Sequence, residues 1–123
     1  MIVFGIESSC DDTAAAIIKD GQTVLSSIVS SQIPVHKDFG GIVPELASRE
    51  HVDNICFVVE RCLLKANLEW DQIDAIAVTR GPGLMGALLV GMAYAKGLAY
   101  ALDIPLVGVN HLEGHIASIL LDY

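Results

Sequence analysis

The sequence predicts one α/β domain in which three antiparallel strands come first and two parallel strands joined by helices follow. Short apolar runs occur near the start of the chain, and two of them flank Asp20-Gly21, a dipeptide typical of tight hairpin turns. Farther along, strand-like and helical patterns alternate, which favours parallel strands linked by a helical crossover. The length of 123 residues fits a single domain.

The first three strands are predicted at residues 2–6, 14–19 and 22–31. Residues 2–6 form a continuous apolar run, as expected for a strand covered on both faces. The Asp20-Gly21 turn then reverses the chain, because both residues tolerate the positive φ that a tight primed turn requires. These three strands should therefore be antiparallel neighbours.

A long helix is predicted after a loop that contains Gly40-Gly41. Pro44 suits its first turn, where a missing N–H costs no hydrogen bond, and Asn67 is a plausible end. Cys56 and Cys62 fall within the helical pattern, and we expect both to be small core residues.

A strand at 73–79, a helix at 84–102 and a strand at 104–109 complete the pattern, with a last helix expected from about Asn110. The two strands should be parallel, because a helix connects them. Small residues recur at every fourth position of the 84–102 helix, which lets a neighbouring element approach closely: Ala87, Gly91, Ala95 and Ala99. Lys96 interrupts its apolar character, so we expect a buried helix and not a membrane span.

This order of elements resembles the ribonuclease-H-like half of the superfamily that contains sugar kinases, heat-shock ATPases and actin. The likeness is one of fold and does not by itself imply a function.

Composition restricts the classes of function. Fifteen acidic and seven basic residues give a net charge of −8, the wrong sign for a domain that binds nucleic acid alone. The apolar content of 53% and mean hydropathy of +0.55 are high, so we expect another domain or subunit to cover part of the surface. Three cysteines without metal-finger spacing favour a reducing cytosol, and the start of the chain has no signal-peptide pattern.

Residues 7–13, Glu-Ser-Ser-Cys-Asp-Asp-Thr, interrupt the first two apolar runs with an unusually polar segment. Adjacent carboxylates repel each other, so a purely structural turn has little use for both. Small hydroxyls and backbone N–H groups beside acids suit a phosphate with its metal ion. A solvated hairpin tip is the alternative interpretation.

Gly81, Gly83 and Gly86 satisfy the dinucleotide pattern G-x-G-x-x-G, but the context argues against it. A dinucleotide site needs an acidic residue at the end of the next strand, and Asp103 precedes that strand instead. A P-loop is also excluded, because Met92-Ala93 stand where Lys-Ser or Lys-Thr would be required.

The segment His111-Leu112-Glu113-Gly114-His115 predicts a metal site. Histidines four residues apart share a helix face and can reach one metal ion. Glu113 would lie about 200° around the helix from His111, which makes it a poor general base. Asn110 and Glu113 also have the spacing of a helix-capping box, a purely structural alternative. Two histidines do not complete a site, so a further ligand must come from elsewhere.

Taken together, these motifs resemble those of the bacterial TsaD family of tRNA adenosine threonylcarbamoyltransferases, which was formerly labelled O-sialoglycoprotein endopeptidase. The matching segments are Gly5 to Thr13, Gly40 to His51, Thr79 to Leu84 and Asn110 to His115. Family members are much longer, so the chain resembles their N-terminal lobe. The second lobe, the nucleotide-binding glycine segments and the aspartate that is the third metal ligand would lie outside it, and the lobe alone should be inactive.

The resemblance implies roles for particular residues. His111 and His115 would bind one divalent metal ion, iron or zinc. Asp11 would be catalytic, with Asp12 beside it. Residues expected to contact substrate are Ser9, Cys10, Glu45, Ser48 and Arg49. In the full-length protein, threonylcarbamoyl-adenylate or ATP/ADP would be the bound nucleotide.

The resemblance also implies partners and a location. A TsaB-like paralogue, a TsaE-like ATPase and tRNA are the expected partners, in the cytoplasm and without a membrane. The lobe could also pair with itself through its exposed face. Three alternatives remain open: a non-catalytic TsaB-like scaffold, a metalloprotease and a phosphotransferase of the sugar-kinase type.

Overall fold

The structure is a computed structural model, and it describes residues 1–8, 12–31, 44–81 and 85–110. Within these ranges, side chains are described for residues 1–8, 13–30, 54–80 and 88–109. The predicted loop at 32–41 and the last helix expected from about Asn110 lie in segments outside the described residues, 32–43 and 111–123.

Five strands form one mixed sheet in the order β3-β2-β1-β4-β5. The strands are β1 (Ile2–Glu7), β2 (Asp12–Lys19), β3 (Thr23–Ser31), β4 (Ala75–Gly81) and β5 (Leu106–Asn110). The first three are antiparallel neighbours, whereas β1 pairs in parallel with β4 and β4 in parallel with β5. The predicted fold class and strand directions are therefore confirmed.

The turn between β2 and β3 has the predicted conformation. Asp20 and Gly21 have φ angles of 55° and 68°, and the N–H of Gln22 donates to the carbonyl oxygen of Lys19 over 3.1 Å. Two consecutive positive φ angles define a primed turn, whose twist matches that of the flanking strands. Local sequence alone was enough to predict it.

Two helices cover the same side of the sheet. Helix α1 (Pro44–Lys65) packs on β2 and β3, helix α2 (Met85–Leu102) packs on β4, and the helices also contact each other. Asn67 follows α1 with a φ of 57°, so it ends the helix in the left-handed conformation, as predicted.

The core lies between the sheet and the two helices. Phe4, Ile17 and Ile76 are fully buried on the three central strands, and they meet Val58 and Val59 of α1. Each large apolar side chain contributes about 1.5–3 kcal/mol when it is fully removed from water. The sheet and both helices thus share one hydrophobic core.

The fourth strand begins two residues later than predicted. A 3-10 turn at Trp70–Gln72 precedes it, and the N–H of Ile73 donates to the carbonyl oxygen of Trp70 over 3.2 Å. Ile73 is buried directly after this turn and before the strand, so its apolar character was mistaken for the start of the strand. Trp70 itself packs against Phe4, with ring centroids 5.2 Å apart.

Two predictions about the helices were wrong. Cys62 is buried, but Cys56 is exposed, because it lies one position beyond the buried Ile55 on the helical wheel. Helix α2 is also not wholly buried: Gly91, Ala95 and Ala99 face the core, whereas its opposite side is exposed. Among the described residues, no helix combines the length and apolar character needed to cross a membrane.

The Gly21→Val substitution should lower the free energy of unfolding by about 1–2 kcal/mol, because a side chain disfavours the left-handed conformation at this position. Urea denaturation measures the change. Gln22→Val is the matched control, since Gln22 is an exposed residue of the same turn without a positive φ. An equal loss in both variants would contradict the assignment of the strain to Gly21.

The two cysteines of α1 should differ in reactivity. Burial raises the pKa of the Cys62 thiol, so less of it is thiolate, whereas Cys56 is exposed. Because a buried thiol is both less ionised and less accessible to the reagent, iodoacetamide should alkylate Cys56 faster than Cys62. Peptide mass spectrometry of the native protein measures both rates, and denaturation should abolish the difference.

Candidate functional site

The carboxyl ends of the three parallel strands lie at one edge of the sheet. β1 ends at Glu7, β4 at Gly81 and β5 at Asn110, and Gly81 pairs with Asn110. In open α/β sheets, this is the edge at which ligands bind. We call it the carboxyl edge.

The antiparallel strands bring the predicted first loop to the same edge. Glu7 pairs with Ala14, and Asp12 pairs with Ser31, so β2 begins and β3 ends beside the end of β1. Asp12, predicted as catalytic, is the first residue of β2. The loop therefore joins two neighbouring strands at the carboxyl edge.

Both helices begin near the carboxyl edge. Helix α2 starts at Met85, four residues after β4 ends at Gly81. Helix α1 ends near the opposite edge, where the N–H of Asp74 donates to the carbonyl oxygen of Ile2 at the start of β1. The start of α1 thus points towards the carboxyl edge, and its first two turns contain Glu45, Ser48 and Arg49, which are predicted to contact substrate.

The remaining predicted site residues fall outside the described ranges: Ser9, Cys10, Asp11, His111 and His115. His111 directly follows Asn110, the last residue of β5. Within the described residues, the side chains form no group of three or more His, Cys, Asp or Glu that could hold a metal ion. The topology therefore brings the ends of the motif-bearing segments to one edge, whereas the proposed ligands and acids stay predictions.

Two buried hydroxyl residues flank the first loop, and sequence reasoning did not single them out. Ser8 is 2% exposed and Thr13 is completely buried, and each residue has an interaction partner. Buried polar groups are held by hydrogen bonds, so they fix the backbone more firmly than exposed ones. The two ends of the loop are thereby anchored in the core.

Gly91 of α2 lies directly against Ser8. A Cβ atom at position 91 would overlap the Ser8 hydroxyl oxygen and lie 3.3 Å from the Ser8 Cβ. The sequence marked Gly91 only as one of a row of small residues. A glycine in the middle of a helix was the signal that could have indicated this contact. Glycine there costs about 1 kcal/mol relative to alanine, so a packing reason is expected.

Arg80 lies at an irregularity between β4 and β5, where the register shifts between Thr79 and Gly81. Its side chain is exposed and runs along Gly108 of β5, with Cδ 3.0 Å from the place that a Cβ at position 108 would take. Arg80 is the penultimate residue of β4, and arginine suits phosphate oxygens, with which it forms paired hydrogen bonds. This cation offsets part of the chain's net charge of −8 where an anionic ligand would need it.

Solved structures with a similar fold support the architecture. YeaZ from Pseudomonas aeruginosa superposes with a TM-score of 0.65 and 20% identity, over 89% of this chain and 42% of that chain. A second structure, described as similar to peptidase YeaZ from the same organism, gives the same TM-score with 22% identity. At such low identity the likeness concerns the fold.

Sequence comparisons identify the family. The family model described as "TsaD: tRNA N6-adenosine threonylcarbamoyltransferase" matches residues 23–123. Proteins of that name from Geobacter sp. (strain M21) and Clostridioides difficile (strain 630) are 61% and 60% identical over 99% and 100% of this chain. The chain spans 36% of the length of each of these relatives.

The fold and the carboxyl edge define a ribonuclease-H-like α/β domain. With the match over residues 23–123, the chain belongs to the TsaD family, as its motifs predicted.

Proposed function

We propose that this chain is the N-terminal lobe of a transferase that moves a threonylcarbamoyl group from threonylcarbamoyl-adenylate to the N6 amine of the adenosine beside the tRNA anticodon. The observation that carries the proposal is the convergence of the first loop, the start of α1 and the end of β5 at the carboxyl edge. Membership of the family supports the choice of reaction. The lobe by itself is expected to be inactive.

The residues of the first loop supply the proposed acid–base chemistry. Asp11 acts on the N6 amine or on a bound water, and a positioned carboxylate of this kind contributes about 10²–10⁴-fold to a rate. Asp12 stands beside it at the start of β2. Ser9 and Cys10 form the wall next to the phosphate of the adenylate.

The start of α1 borders the cleft in this proposal. Glu45, Ser48 and Arg49 belong to the first two turns of the helix, on the side of the sheet edge where the first loop begins. Residues one helical turn apart share a face, so Glu45 and Arg49 can present opposite charges to one substrate. Arg80 adds a second cation at the same edge.

His111 and His115 would hold one divalent metal ion, iron or zinc, with the third ligand outside this chain. Their chemistry fits, because neutral imidazoles are ligands of both metals, and His111 follows the last residue of β5 at the carboxyl edge. When bound, the metal supplies Lewis-acid polarisation of the carbamoyl group.

The partners proposed are a TsaB-like paralogue, a TsaE-like ATPase and tRNA, in the cytoplasm. Support comes from exposed apolar residues on the solvent side of the two helices, here called the outer helical face: Phe57, Leu64, Leu89, Met92 and Tyr100. Exposed apolar area of this kind marks interaction sites. The proposed occupant is the TsaB-like paralogue, and a homodimer through the same face is the competing arrangement. tRNA binding would be shared among subunits, since this lobe is acidic.

Substitution of the proposed metal ligand and acid tests the function. In the intact native protein, assayed with its partners, His111→Ala should lower the bound metal content, and Asp11→Asn should lower tRNA threonylcarbamoylation by ~100-fold or more. Metal content is measured by elemental mass spectrometry, and the modified nucleoside by mass spectrometry of digested tRNA. Gln22→Val serves as the control, because Gln22 is an exposed turn residue at the opposite end of β2.

Assays of proteolysis and of phosphate transfer with the same variants distinguish the alternatives. A metalloprotease would lose proteolysis in the His111→Ala variant, and a phosphotransferase of the sugar-kinase type would transfer phosphate to a small acceptor. A scaffold like the TsaB paralogue would need neither His111 nor Asp11. Unchanged tRNA modification in both variants would reject the proposed roles.

Leu89→Glu should weaken binding of the TsaB-like paralogue by ~10-fold or more, because a charge would be buried at the centre of an apolar contact. Leu89 is 56% exposed on α2. Val29→Glu is the matched control, because Val29 is 60% exposed on β3. Val29 pairs with Ala14 of β2, and the next residue, Ala15, faces the core. Since side chains alternate along a strand, Val29 points to the side of the sheet away from the helices. Isothermal titration calorimetry measures both affinities, and equal weakening would contradict the assigned surface.

A further inference from the structure

The contact between Ser8 and Gly91 joins the first loop to the middle of α2. Ser8 is the last described residue before the segment 9–11, and Asp12 begins β2 directly after it. The hydroxyl of Ser8 is buried against the backbone of α2 at Gly91, where any larger residue would overlap it. The start of the loop is thus held from the side of the helix.

We propose that Ser8 and Gly91 are positioning residues for the acid–base segment Ser9 to Asp12. This inference rests on the proposed function, because it assigns the pair a role in setting the direction in which that segment leaves β1. Ser8 is held between the paired end of β1 at Glu7 and the helix at Gly91. Thr13, completely buried, anchors the other end.

The contact leaves little freedom for adjustment. Rotation of the Ser8 side chain would move its oxygen, but its Cβ would still lie 3.3 Å from an added carbon, and the residue is surrounded by packed atoms. Added atoms in a closely packed region are accommodated by shifts of backbone and rotamers. A misplacement of about 1 Å in a reacting group can cost ~10²-fold in rate, so a small shift of Ser8 matters to Asp11.

Gly97 provides a matched comparison within the same helix. It is exposed, and a Cβ at this position would have no neighbouring atom within 4 Å. Gly91→Ala and Gly97→Ala therefore make the same chemical change and gain the same helix propensity, but only the former meets Ser8. A difference between them reports on the contact with Ser8.

The test uses the intact native protein with its partners and measures kcat and KM for tRNA threonylcarbamoylation. We expect Gly91→Ala to lower kcat by ~10- to 100-fold with KM for tRNA changed less than threefold. Gly97→Ala should leave both parameters unchanged.

Hydrogen exchange gives a second readout that does not depend on activity. Gly91→Ala should speed the exchange of amides in the peptide covering residues 7–13, whereas Gly97→Ala should not. If Gly91→Ala does not fold, Ser8→Ala replaces it: that variant removes an atom without overpacking, and it should lower kcat and speed exchange in the same peptide.

The outcomes separate this inference from the proposed function. An unsubstituted protein that modifies no tRNA would reject the proposed function, and exchange in residues 7–13 would then decide whether the contact orders the loop. In an active protein, equal kcat and exchange for Gly91→Ala and Gly97→Ala, or a Ser8→Ala variant like the unsubstituted protein, overturns the inference.

Discussion

Parallel pairing of β1, β4 and β5 is the constraint on which the arrangement of the site depends. Because the three strands run in one direction, their carboxyl ends meet at one edge, and the segments that follow them must start there. The two antiparallel strands add the start of β2 and the end of β3 to the same edge. Strand pairing alone therefore explains why segments far apart in sequence become neighbours.

The core then fixes how the helices stand on this sheet. Phe4, Ile17 and Ile76 lie on three adjacent strands, and α1 and α2 close over them from one side. Tyr94 of α2 is packed towards α1, and burial raises its pKa to about 12, with further contributions from Cys56 and Glu60. The helix pair is therefore a single layer, and its orientation sets where both helices begin with respect to the carboxyl edge.

Local patterns predicted the parts of the fold that depend on local physics. Strand directions, the Asp20-Gly21 turn and the end of α1 at Asn67 followed from apolar runs and residues that tolerate positive φ. The start of β4 was missed because Ile73, which follows a 3-10 turn and precedes the strand, is also apolar and buried. The Ser8–Gly91 contact joins residues far apart in sequence and depends on the approach of a helix to a strand, which no local pattern encodes. The site residues were predicted from motifs, and the topology supplies the edge on which the ends of their segments meet.

Helix α2 has one side towards Ser8 and the other towards solvent, with Leu89 and Met92 flanking Gly91 along the chain. Its 18 residues form a helix about 27 Å long. A subunit that binds the outer helical face would contact the same helix that packs against Ser8 at the start of the first loop. By thermodynamic linkage, if binding of that subunit changed the affinity of the first loop for a ligand, the ligand would change the affinity for the subunit by the same factor. The outer helical face and the contact with Ser8 thus lie on opposite sides of one helix, through which subunit assembly and ligand binding would influence each other.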